Sequence, residues 1–300
     1  MNRIFLILAA AAIWCSIGCS QPSAMTVTVG NLQTYDNFES KYVAPRTIRV
    51  WTPAGYSSDK QYDVLYMHDG QMLYDAEYSW NHQEWGIDEA LDSLIRQGVV
   101  RPCIVVGIDN TEDRFAEYFP DDALQYYPSG EKPDLDFTPK GNAYLKFVFE
   151  ELKPFIDAHY STHPEREHTH MMGSSCGGLI TSYALCKYPE MFSSVACLST
   201  HSSMQYSFVD SPDPKLGEAY RSYLQHCLPE KNSCLLYMDI GNKTIDADYQ
   251  ESQAIINRII SGLGWDETHF IYRFYDGDEH SEDCWRARLP IVLKVLIGVK

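Results

Sequence analysis

The spacing of apolar positions changes repeatedly along the chain. Thr47-Ile48-Arg49-Val50-Trp51 alternates with a period of two, as a half-buried strand does. Asp63 to Met67 reads as a more deeply buried strand, broken by the loop His68-Asp69-Gly70-Gln71. Ile87, Ala90, Leu91, Leu94 and Ile95 fall at helical spacing, and Gly98 closes that helix. Ile104-Val105-Val106-Gly107-Ile108 is a continuous apolar run, which predicts a strand covered on both faces. Leu145, Val148, Phe149, Leu152 and Ile156 mark a long helix, with a bend predicted at Pro154. Further strands are predicted at Thr169–Met172, Ser194–Leu198, Leu235–Asp239 and Phe270–Phe274, and further helices near Gly177–Lys187, Tyr249–Ile260 and Ser281–Ile297. Strands that alternate with helices in this way form a mainly parallel sheet with helices on both faces. The predicted class is α/β, in a single domain over 46–300, preceded by a lead over 19–45.

Two segments stand apart from this alternation. Met1-Asn2-Arg3 is positively charged, and the apolar run from Ile4 to Trp14 that follows is too short to span a bilayer, which takes about 20 residues. Residues 1–18 therefore read as a secretory signal. Ile17-Gly18-Cys19 looks like a bacterial lipobox, with Ser16 where a large aliphatic residue is usual, so Cys19 is the expected lipidation site. The expected location is exported: periplasmic, anchored to the outer membrane by lipid, or secreted, with membrane contact only through that lipid. The second segment, Asp109 to Lys140, mixes acidic residues, Pro and Gly with Phe115, Tyr118, Phe119, Tyr126, Tyr127 and Phe137. A connection that long usually has a task, such as covering a cleft.

Composition narrows the function. The 300 residues carry 24 Lys+Arg against 41 Asp+Glu, a net charge of −17. That balance disfavours a nucleic-acid partner, which needs a basic footprint. Two of the nine cysteines, Cys15 and Cys19, belong to the signal and its lipidation site, which leaves seven, an odd number. Buried free thiols are expected at Cys186 and Cys197, while Cys227 and Cys234 are candidates for a bridge in an oxidising compartment. His168 and His170 stand two apart on a strand-like run and read as surface or packing residues. Neither a metal nor a cofactor is expected.

The chemistry concentrates in Gly173-Ser174-Ser175-Cys176-Gly177, a G-x-S-x-G string with an apolar strand before it and a helical pattern after it. In that setting a serine sits on a tight strand-to-helix turn, and the helix N-terminus faces developing negative charge. A dinucleotide loop would need Gly where Ser175 stands, and a phosphate loop would need Gly-Lys-Ser/Thr. The acid and the histidine should follow in that order. His280 comes after the Phe270–Phe274 strand, placed to act as general base and then general acid. After the Leu235–Asp239 strand, Asp246 is the first choice for the acid and Asp248 the second; Asp239 lies inside its strand. Two backbone N–H donors are needed for an oxyanion. They are expected from Cys176 and from Gln71.

At these residues the chain resembles the putative-esterase branch of the α/β-hydrolase fold. That branch includes esterase D-like enzymes, family 1 carbohydrate esterases (feruloyl and acetylxylan esterases), enterochelin esterases and mycolyltransferases. The resemblance runs from about Thr47 to the C-terminus. It rests on Leu65-Tyr66-Met67-His68-Asp69-Gly70-Gln71, Trp85-Gly86-Ile87-Asp88-Glu89, Gly107-Ile108-Asp109-Asn110, Gly173-Ser174-Ser175-Cys176-Gly177-Gly178 and Glu279-His280. It implies Ser175 as nucleophile, His280 as base and an acid within Gly241–Asp248. Cys176 stands where relatives often carry Met, and Gly241-Asn242 where Gly-Thr is common. Trp85 resembles a tryptophan near the acyl or sugar site of relatives, though a core tryptophan reads equally well. The expected activity is serine ester hydrolysis through an acyl-enzyme, on an acylated carbohydrate of feruloyl or acetyl type or another small-molecule ester. Alternatives are an acyltransferase with the same triad, a non-catalytic glycan binder on the same fold, and a thiol hydrolase using Cys176.

Overall fold

The computed structural model describes residues 24–128, 131, 133–204 and 213–299. The leader and Cys19 lie outside them. In chain order the main elements are β1 (Asn31–Phe38), β2 (Arg46–Thr52), β3 (Asp63–His68), α1 (Ile87–Arg96), β4 (Cys103–Ile108), α2 (Arg114–Glu117), α3 (Gly141–Lys146), α4 (Lys153–His159), β5 (Thr169–Ser174), α5 (Cys176–Lys187), β6 (Ser194–Leu198), α6 (Pro214–Cys227), β7 (Leu235–Ile240), α7 (Asp246–Gly262), β8 (Phe270–Phe274) and α8 (Glu282–Ile297).

The strands form one sheet in the order β1-β2-β4-β3-β5-β6-β7-β8. β2 runs antiparallel to both β1 and β4, and every other pair is parallel. Alternation along each strand sorts the core into two layers. Val64, Tyr66, Ile104, Val106, Met171, Val195, Cys197, Leu236 and Met238 face α5, α6 and α7. Leu65, Met67, Val105, Met172, Ala196, Leu198 and Tyr237 face α1 and α8. Both faces are covered, which is why the central strands read as unbroken apolar runs.

The topology also positions the site. From β3 the chain crosses to β4 on one side and then returns to β5 on the other, so β3 has both as neighbours. Such a reversal opens a crevice at the carboxyl ends of the strands. There the loop after β3 and the turn after β5 lie side by side.

Three features depart from the sequence reading. The lead over 19–45 contributes β1, an edge strand paired with β2. Its sequence, Asn-Leu-Gln-Thr-Tyr-Asp-Asn-Phe, is polar because it is half-exposed along its length. The long helix predicted around Pro154 is not uniformly α-helical. Residues Phe147–Leu152, between α3 and α4, wind as a π-helix just before the proline. Proline has no N–H to give to the turn behind it, so the irregularity lies upstream. Finally, α6 had no counterpart in the reading, although Leu216, Ala219, Tyr220, Tyr223 and Leu224 bury one of its faces.

Segment 109–140 is anchored by buried charge. Glu117 receives both Nη1 and Nη2 of Arg46, at 2.8 and 2.6 Å, and Asp109 is paired with Arg49 through Nε and Nη2, both at 2.8 Å. Tyr118, Phe119 and Ala123 enter the core. Asn110, Arg114 and Phe115 instead line the cavity at the sheet's carboxyl edge.

Candidate active site

β5 ends at Ser174 and α5 starts at Cys176, so Ser175 alone makes the turn, with φ 55° and ψ −122°. A non-glycine residue rarely adopts that backbone, which marks stored strain at the bend. Gly173 is sterically required, and Gly178 has little room for a side chain. A Cβ on Gly173 would lie 2.6 Å from the backbone of Gly177, and one on Gly178 would lie 2.9 Å from Oγ1 of Thr200. Ser175 N–H donates to the Leu198 carbonyl (2.9 Å), and its own carbonyl accepts from His201 N–H (3.1 Å). The turn is thus bound to β6, with the serine side chain on a cavity of about 570 Å³.

His280 lines the same cavity. Its Nδ1 lies 2.6 Å from Asp246 Oδ1; a proton held on Nδ1 by that carboxylate leaves Nε2 as the acceptor. Asp246 opens α7 and is fully buried. Its Oδ2 accepts from Ser199 Oγ and from Gly241 N–H, each at 2.7 Å. Burial alone would raise the pKa of this carboxyl. Hydrogen bonds from His280, Ser199 and Gly241 outweigh that and hold it below its ordinary 3.8. Of the two candidate acids it is therefore Asp246 that meets His280; Asp248 is exposed on the first turn of α7. Asp239 is engaged elsewhere, accepting from Arg288 Nη1 at 2.8 Å. Burial pushes its pKa up to about 6, with Arg288 opposing.

The loops carrying acid and histidine are laced together. Asn242 and Lys243 N–H both donate to the Asp278 carbonyl (3.1 and 3.0 Å). The Asn242 side chain accepts from Gly277 N–H (2.8 Å) and donates to Asp276 (2.6 Å), while Thr244 Oγ1 accepts from His280 N–H (2.9 Å). Asn242 is thus the central tie between the two loops.

Gln71 and Cys176, the expected oxyanion donors, both line the cavity. Cys176 N–H belongs to the first turn of α5, whose N–H groups have no partner within the helix. Gln71 lies in the single turn Gly70–Met72 after Asp69, which takes a left-handed conformation at φ 58°. That turn packs on α5: a Cβ at Gly177 would touch Cβ of His68 at 3.3 Å and Oδ2 of Asp69 at 3.5 Å. Asp69 accepts from Arg114 Nε and Nη2 at 2.7 and 2.8 Å and from Asn110 Nδ2 at 2.6 Å. Burial would raise its pKa, but these partners hold it below the ordinary value, so the carboxylate fixes the loop as an ion. His68 is buried below, bonded through Nδ1 to Tyr144 Oη (2.7 Å); burial pushes its pKa down to about 4. Burial raises the Cys176 thiol, with Arg114 opposing. A thiol kept protonated is a poor nucleophile, which counts against the thiol-hydrolase alternative.

Trp85 is packed in the core against Trp285, ring centroids 5.6 Å apart, and it also lines the cavity. The sequence reading missed Ser199, Trp285 and Arg114. Trp285 sets its ring edge-on to His280 (5.0 Å) and donates from Nε1 to Ser199 Oγ (3.0 Å). The available signal was position: Ser199 directly follows β6 at the carboxyl edge. His168 and His170 are not in this region; both bond Asp63 at the opposite edge of the sheet. Cys227 and Cys234 are free thiols. Among the described residues no group of three or more His, Cys, Asp or Glu could hold a metal ion, and no helix is long and apolar enough to cross a membrane.

A mainly parallel sheet covered on both faces, with a strained serine elbow at its carboxyl edge, defines an α/β-hydrolase fold. The family model described as "Putative esterase" matches residues 41–294, and the chain belongs to that family of carboxylic ester hydrolases. The protein is 28% identical over 157 residues to the uncharacterized protein YbbA of Bacillus subtilis; that alignment covers 51% of this chain and 56% of YbbA, so it spans about half of the relative. It is 26% identical over 176 residues to an endo-1,4-beta-xylanase/feruloyl esterase of Xylanibacter ruminicola, covering 54% of this chain and 20% of that one. A solved ferulic acid esterase structure shares the fold with a TM-score of 0.63 at 18% identity, covering 89% of this chain and 98% of its own.

Proposed function

We propose that the chain hydrolyses an acylated carbohydrate of feruloyl or acetyl type through an acyl-enzyme, with Ser175 as nucleophile, His280 as base and Asp246 as acid. The observation that carries this reading is the convergence on one cavity of a strained Ser175 and of His280 held by a buried, ionised Asp246. Ser175 Oγ attacks the ester carbonyl carbon and its proton passes to His280 Nε2. The Gln71 and Cys176 N–H groups receive the carbonyl oxygen as it becomes an anion. When the tetrahedral intermediate collapses, the alcohol leaves with the proton from His280. Water then adds to the acyl-serine by the same route, releasing the acid and restoring Ser175. Asp246 keeps the proton on Nδ1 and stabilises the imidazolium. The carbohydrate assignment draws support from the feruloyl esterase relative. We further propose that the protein is exported and lipidated on Cys19.

Fluorophosphonate labelling followed by peptide mapping tests the nucleophile: the label is expected on Ser175, and an unlabelled native protein would favour the glycan binder. Product analysis with feruloyl and acetyl sugar esters, run with and without acceptor alcohols, separates hydrolase from transferase. Free acid in both conditions is the expected result.

A further inference from the structure

Beyond the reacting groups, the cavity wall holds a second constellation. Glu282 is 6% exposed and lines the cavity two residues beyond His280. Its Oε2 accepts from Asn81 Nδ2 at 2.6 Å. Asn81 is fixed in turn, because its Oδ1 accepts from Gln83 N–H (3.1 Å) and lies 3.4 Å from Ser79 Oγ. Held at both ends of its amide, Asn81 fixes the loop that presents Trp80. Trp80 lines the same cavity yet is 77% exposed, the most exposed large apolar side chain among the described residues. A rigid loop that holds an indole in water at a cavity mouth, beside a buried carboxylate with acceptor capacity left over, has no evident packing role.

We propose that Trp80 and Glu282 form the subsite for the alcohol half of the ester, and that this alcohol is a sugar ring. The assignment deepens the carbohydrate esterase reading and rests on it. The histidine delivers a proton to the leaving oxygen, so the departing alcohol must lie on its side of Ser175. Glu282 is on that side, following His280 on the same loop-to-helix junction and lying within electrostatic reach of it. The oxyanion loop, with Arg114 and Phe115 of the 109–140 segment, forms other parts of the wall. A sugar presents apolar C–H faces and donating hydroxyls around its rim. The indole covers a face of the ring, and the Glu282 carboxylate accepts from a hydroxyl.

The test compares two substrates with the same acyl group: methyl ferulate and a feruloyl-arabinose ester. The readout is the ratio of kcat/KM on the sugar ester to that on the methyl ester. Trp80→Ala and Glu282→Gln are each expected to lower this ratio roughly tenfold, mainly through KM. Trp80→Tyr should recover most of the loss, and thermal melts should show all three variants folded. An unchanged ratio in both Trp80→Ala and Glu282→Gln would overturn the subsite while leaving the esterase reading intact. If the wild type cleaves methyl ferulate but not the sugar ester, the carbohydrate reading falls and the subsite with it.

Discussion

The sheet carries a serine, a histidine and an aspartate at each of its two edges, and only one set opens on a cavity. At the carboxyl edge, Ser175 sits on a strained turn, with His280 and Asp246 against a cavity. At the amino edge, Asp63 Oδ2 bonds His170 Nε2 (3.0 Å), whose Nδ1 lies 2.7 Å from Ser194 Oγ. That second set looks like a triad on paper. Yet Ser194 begins an ordinary strand, its hydroxyl also contacts the Leu296 carbonyl (3.2 Å), and all three residues are buried. Asp63 is further shared with His168 Nδ1 (2.6 Å) and Arg101 Nε (2.7 Å). No substrate carbonyl can reach it. Residue types and hydrogen bonds alone therefore do not make an active site. What the carboxyl-edge set adds is a backbone bend, the start of a helix and open space.

Exchanging single atoms at the two edges should separate chemistry from stability. Ser175→Ala is expected to lower kcat on an ester by roughly 10³-fold or more with little change in Tm. Ester turnover that survives this change would remove Ser175 as nucleophile. Asp246→Asn should lose on the order of 10²- to 10⁴-fold in kcat, because the amide no longer fixes the histidine tautomer; steady-state kinetics over pH 6–9 checks this. At the other edge, Asp63→Asn should leave kcat within about twofold but destabilise by about 3 kcal/mol, since it breaks a buried charge network. Urea unfolding measures that. Ser194→Ala is the mildest, costing about 1 kcal/mol and no activity.

Acid should act through the amino edge as well. Burial depresses His170 below its ordinary 6.5, and its contacts with Asp63 oppose this only in part. A histidine depressed in the folded state loses stability as pH falls below the unfolded value. Burial would raise Asp63, but His170, Arg101 and His168 together bring it down to about 2. Its contribution is present above the unfolded value near 3.8 and disappears as pH falls toward about 2. Thermal melts between pH 7 and pH 3 should show a falling Tm in the native protein, and Asp63→Asn should flatten the most acidic part of that slope.

Much of this was legible in the sequence because it follows from periodicity and turn chemistry. Seven of the eight strands, the elbow at Ser175 and the pairing of His280 with Asp246 rest on such signals. β1 was not legible: an edge strand with both faces partly wet has no reason to alternate apolar and polar residues. Ser199, Trp285 and Arg114 were not legible either, since what they do depends on long-range contacts. Arg114, for instance, meets Asp69 across 45 positions of chain. Asn242 shows a third situation, in which an unusual residue at a familiar place is explained by ties to a distant loop.

Those ties around Asn242 have a kinetic corollary. Because residues 241–246 and 275–281 hold one another through four backbone donors and one side-chain amide, His280 and Asp246 are tied into one unit. Amide hydrogen exchange should find both loops opening together, with a shared free energy distinct from that of the serine turn. The imidazole would then lose its serine before it loses its carboxylate, and every reclosure would return it already carrying the right tautomer.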